Sequence, residues 1–116
     1  MTETTKTARQ ELLETLRTKV RAPIERHADE ILDSFGDDNE GLAAFQLARA
    51  DLDRLIARVE HEELAELAAL LRSHAEELSA GIREMADSLA KARSLTRSAE
   101  IFAVVVGIVA RVVALA

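Results

Sequence analysis

The side chains of this chain with the widest chemical range are three histidines and twenty-one carboxylates. Two histidines recur in one local pattern, His27-Ala28-Asp29-Glu30 and His74-Ala75-Glu76-Glu77. On a helix, His-x-x-Glu stacks an imidazole and a carboxylate one turn apart on the same face. Bundles that hold two metal ions use Glu-x-x-His together with further inward glutamates. Here the order is reversed and no additional inward carboxylates are evident. His27, Glu30, His74 and Glu77 are therefore the candidate metal ligands, on an incomplete motif. The blander reading is a half-buried imidazole held by a carboxylate, and a third is a contact that responds to pH. His61, within Glu60-His61-Glu62-Glu63, reads as a solvated turn residue.

Other chemistry is excluded more firmly. Without cysteine there are no disulfides, thiolate zinc sites, iron–sulfur clusters or cysteine nucleophiles. No phosphate-binding loop, Gly-x-Gly-x-x-Gly, His-Glu-x-x-His or Gly-x-Ser-x-Gly is present, and no spacing links a serine to a base. A non-enzymatic protein with no cofactor and no small-molecule substrate is the expectation. The net charge of −6 argues against a nucleic-acid binder, and with no Trp or Tyr and three Phe there is little on which bases could stack. Lys91, Arg93 and Arg97 form the one basic group, suited at most to phosphate contact without base reading.

These residues must be placed by helices. At 116 residues the chain makes one domain. Four glycines and one proline leave little material for turns, and no β-branched run has a hairpin partner. Thr7-Ala8-Arg9-Gln10 fits a capping box opening a first helix. Leu13, Leu16, Val20, Ile24, His27, Ile31 and Phe35 then recur on one face, with a kink or brief break expected at Arg21–Pro23. Phe35 to Gly41 reads as a turn, with Asp37, Asp38 or Asn39 capping a second helix that carries Leu42, Phe45, Leu52, Leu55, Ile56 and Val59.

The apolar phase slips at residues 60–63, marking either a turn or a stutter in one long helix, and the turn is preferred. Leu67, Leu71, Leu78, Ile82 and Met85 belong to the third stripe, which Gly81 should weaken by about 1 kcal/mol. Residues 92–98 are the last candidate break, although the stripe continues through Phe102, Val106, Val109 and Val113 as if into one rod. The expected fold is all-α, an antiparallel bundle of three or four amphipathic helices with coiled-coil-like stripes and a strongly apolar C-terminal helix.

That helix divides the domain into an acidic amphipathic body, 1–98, and an apolar segment, 99–116. Fourteen of the last sixteen residues are apolar, the exceptions being Gly107 and Arg111. Residues 1–90 have a balance of −9 and residues 91–116 one of +3. Ile101, Val104, Val105, Ile108, Val112 and Leu115 form a bulky face, with Ala103, Gly107, Ala110 and Ala114 as a small-residue stripe opposite. Small residues let a second helix approach closely.

Three coverings are open for this segment: the chain's own core, another protein, or lipid. Sixteen residues reach about 24 Å, short of the ~30 Å hydrocarbon layer, and Arg111 interrupts them. The leading expectation is a self-associating interaction module. Its candidate interface is Ala103, Val105, Gly107, Ile108, Arg111, Val112, Ala114 and Leu115, with the chain itself or another helical protein as partner. The first alternative is a membrane-associated protein that inserts or assembles through this helix, and the second is a metal-binding bundle. The N-terminal MTETTKTARQE has no apolar h-region and no small-residue cleavage site. A cytoplasmic protein is therefore expected, with peripheral or tail-anchored attachment to the cytoplasmic membrane as the variant.

Overall fold

The computed structural model describes residues 7–91 and 94–116, and these are all-helical and without strands. Met1–Lys6, Ala92 and Arg93, which include part of the N-terminal leader reading, the last candidate break and the basic group, lie outside the described residues.

The first leg contains α1 (Ala8–Thr15), a wide π turn (Leu16–Arg21), α2 (Ala22–Arg26) and α3 (Ala28–Ser34). Its start is the capping box expected from the sequence. Thr7 Oγ1 accepts the Gln10 N–H at 3.1 Å, and the Gln10 side chain accepts the Thr7 N–H at 2.9 Å. The π turn has two causes. Pro23 has no N–H for the Lys19 carbonyl, and the Ala22 N–H reaches five residues back to the Arg17 carbonyl. The buried residues Leu12, Leu16, Val20, Ile24 and Ala28 also fall four apart. In a regular α-helix each such step would rotate the stripe by about 40°, carrying it off the core, and a wider turn brings it back. The expected break at Pro23 is thus a bulge that preserves the apolar face.

Gly36 ends this leg at φ 55°, a left-handed conformation that glycine adopts without a Cβ penalty. The Asp38 carboxylate then accepts the Gly41 N–H at 2.9 Å and caps α4 (Asn39–His61). Arg17–Glu60, Arg21–Asp53 and Glu25–Arg49 pair across the two elements, so α4 runs antiparallel to the first leg. The chain reverses after His61 without glycine or proline. Glu62 takes an extended conformation, its carboxylate hydrogen-bonded by Arg58 and its carbonyl accepting from Arg9 at 2.7 Å. The phase slip thus marks a reversal and not a stutter, but the break begins only at Glu62: Glu60 and His61, expected in the turn, are still the last residues of α4.

The third stripe is divided into α5 (Leu67–Ser73) and α6 (Ala75–Lys91), separated at His74. His74 has φ −108° and ψ 9°, and His27, between α2 and α3, has φ −107° and ψ 10°. Both His-x-x-Glu motifs therefore sit at the same kind of kink.

The single-rod reading of the last two stripes does not describe this fold. Ser94 caps α7 (Leu95–Leu115) by accepting the Arg97 N–H, and α7 turns back along α6. The antiparallel register is fixed by Ser88–Ser98 at 2.6 Å, Glu84–Arg97 and Glu77–Arg111. Gly81 lets the pair close, because a Cβ there would lie 3.0 Å from Val105 Cγ2. The glycine that weakens α6 as an isolated helix is the one that admits α7.

α7 packs against α3, α4, α5 and α6. The three phenylalanines of the chain meet at its first half. Phe45 lies 6.1 Å from Phe35 and 5.9 Å from Phe102, the latter edge-to-face. Phe102, Val105, Val109 and Val112 are all essentially inaccessible to water. The apolar C-terminal helix is the centre of the core.

Candidate interaction surface

The sequence leaves open which side of α7 faces outward, since nearly every position is apolar. The structure selects one strip. Ile101, Phe102, Val105, Val106, Ile108, Val109, Val112 and Val113 are buried. The opposite side presents Glu100, Gly107, Arg111 and Ala114, all exposed, with Ala103 and Ala110 half-buried. Val104 at 60% and Leu115 at 65% exposure flank this strip. A Cβ added at Gly107 would meet nothing within 4 Å, so the middle of the strip is uncovered by the rest of the molecule.

The eight interface candidates separate accordingly. Val105, Ile108 and Val112 belong to the chain's own core. Ala103, Gly107, Arg111, Ala114 and Leu115 lie on the open side, fully or in part. The bulky set of the sequence reading mixed core positions with Val104 and Leu115, which border the small-residue stripe. A wheel gives each residue's direction but not the direction of the core, and that depends on where α6 and α4 lie. The other stripe is also largely enclosed: Leu67, Leu78 and Met85 are buried, and Leu71 and Ile82 half-buried.

Charged groups frame the strip. Arg111 Nη2 donates to Glu77 Oε1 at 2.9 Å, and Arg97 reaches Glu84 at 3.3 Å and Glu100 at 3.5 Å. All are well exposed, so each contributes at most about 1 kcal/mol and can exchange partners readily. Glu77 also lies 3.7 Å from His74 Nδ1, which links one His-x-x-Glu pair to the strip through Arg111. The other pair, His27 Nδ1 to Glu30 at 3.8 Å, leaves Nδ1 buried and without a hydrogen bond. The four candidate ligands thus form two separate pairs at two kinks. Among the described residues no group of three or more His, Asp or Glu could hold a metal ion.

At 21 residues α7 is long and apolar enough to cross a membrane by length and composition, four residues of that length being polar ones ahead of Ile101. Yet 56% of its most apolar window is buried within the molecule. In comparisons with protein-family models, curated proteins and solved structures, nothing matches this chain.

Proposed function

We propose that the chain is a non-enzymatic helical interaction module that self-associates through the open strip of α7. Its four antiparallel legs, α1–α3, α4, α5–α6 and α7, form a bundle with one face incompletely covered, and its place of action is the cytoplasm. The observation that carries this reading is the uncovered space at Gly107 beside the exposed Val104, on a helix whose far side is fully packed.

A second copy fits this strip in antiparallel orientation. A two-fold axis midway between Val104 and Gly107 places each copy's Val104 level with the other's Gly107. The same register places Glu100 level with Arg111. A projecting side chain meets a gap and an acid meets a base, as a self-complementary two-fold interface requires. One helix face is small beside a standard interface of about 800 Å² per partner, so the association is concentration-dependent.

Sedimentation velocity over a wide concentration range tests it. Monomer is expected at low and dimer at high concentration, with Gly107→Leu and Arg111→Glu each abolishing the dimer. Glu100→Arg combined with Arg111→Glu should restore it. A protein monomeric throughout, or a double variant that stays monomeric, refutes the reading.

The length of α7 favours a second reading, insertion of this helix into a bilayer. Insertion would withdraw Phe102, Val105, Val109 and Val112 from the core and dismantle the fold around them. Flotation with vesicles, accompanied by loss of cooperative unfolding, is the outcome that would support it over self-association.

A further inference from the structure

A groove of about 530 Å³ opens between the first leg and α5–α6, and none of its lining residues belongs to α7. Leu12 and Leu78 lie at its base, and Leu71 and Ile82 line it half-buried. It stays open because Ala68 and Ala75 project too little to fill it. The lining contains no aromatic ring, so nothing in it favours a flat ligand, and its aliphatic walls suit a flexible alkyl chain.

Charge gives that chain a head group. Several other bases have an acidic partner on a neighbouring element, as in Arg17–Glu60, Arg21–Asp53, Arg49–Glu25 and Arg111–Glu77. Lys19 on one wall of the groove and Arg72 on the other have no ion-pair partner among the described residues. Glu11 is the one carboxylate on the lining, so the groove is locally positive in a chain of net charge −6. Its volume falls within the range of small-molecule sites, about 300–1,000 Å³.

We infer that this groove binds a free single-chain amphiphile with an anionic head, of the alkyl carboxylate or alkyl sulfate class. The chain lies along Leu12, Leu71, Leu78 and Ile82, and Lys19 and Arg72 select the charge of the head.

Isothermal titration calorimetry of the full chain with sodium decanoate, below its micellar concentration, tests the inference. The expected result is saturable one-to-one binding, with decyltrimethylammonium binding roughly tenfold more weakly or worse. Ala75→Leu, at the exposed first residue of α6, should weaken decanoate binding about tenfold with an unchanged helical spectrum and melting temperature. Lys19→Ala with Arg72→Ala should leave the two head groups bound about equally. Non-saturable uptake, equal affinity of the unaltered protein for both heads, or unimpaired binding by Ala75→Leu overturns the inference. So does flotation with phosphatidylglycerol vesicles in the absence of decanoate binding, which would make the ligand a bilayer.

Discussion

Gly81 and Gly107 show how one residue type is used for opposite purposes on adjacent helices. A Cβ at Gly81 would press on Val105, which is fully buried and stiff because it is β-branched. Gly81→Ala therefore gains helix propensity of up to about 1 kcal/mol but incurs overpacking, typically about 1–3 kcal/mol. The expected net effect is destabilisation, measured by urea unfolding. In a Val105→Ala background the crowding is gone, and the same substitution should become stabilising. At Gly107 there is nothing to crowd. Gly107→Ala should stabilise the dilute protein by up to about 1 kcal/mol. Failure of the sign to reverse at Gly81, or a loss of stability at Gly107, would refute this account of the α6–α7 contact. In the sequence Gly81 reads as a weak point of its helix and Gly107 as part of a stripe that admits another helix, yet within the chain it is Gly81 that admits one. What separates them is a neighbouring helix, and that is information no local spacing contains.

At the scale of elements, the ends of helices were the most legible features. The Thr7 capping box, the Gly36 stop, the Asp38 cap and the reversal near Glu62 all use local hydrogen bonding between residues close in sequence. The kinks were harder to read. His74 breaks the third stripe with neither proline nor glycine nearby, and the repeated spacing of four before Pro23 was a signal of the π turn that a helix template of three and four absorbs without notice.

The Glu62 turn also carries a pH dependence. The hydrogen bond from the Arg58 guanidinium holds the Glu62 carboxyl below its ordinary value against an opposing desolvation, with the guanidinium charge a lesser contribution, and raises Arg58 in return. A carboxyl lowered in the folded state stabilises above the unfolded carboxylate range, and that contribution is lost as the pH falls through its folded value. Glu62→Gln should accordingly melt slightly below the parent at neutral pH, and the two curves should converge in acid. A melting difference that persists unchanged at low pH would place the role of Glu62 in its backbone contacts, such as the Arg9 hydrogen bond, and not in its charge.

At the scale of the molecule, the division into an acidic body and an apolar segment describes composition and not folding. The apolar helix supplies the middle of the core and packs against α3, α4, α5 and α6, so it touches every other leg of the fold. Phe102→Ala alone is expected to cost about 3–5 kcal/mol, a large share of the 5–15 kcal/mol typical of a domain. Removing residues 99–116 deletes Phe102 together with Val105, Val109 and Val112, each contributing roughly 1.5–3 kcal/mol by burial. It also uncovers Phe45 and Met85, both fully buried in the intact chain. The shortened chain is therefore expected to lose its cooperative melt and to bind a hydrophobic dye, though its circular dichroism still reports helix. A sharp, reversible transition in the 1–98 fragment would show the body to be self-sufficient and α7 to be an accessory. If the fragment collapses as expected, deletion of the helix cannot distinguish a membrane anchor from a dimer interface, because either result would follow from unfolding. The distinction then rests on Gly107 and Arg111, which can be changed on the open side of α7 without disturbing the core behind it.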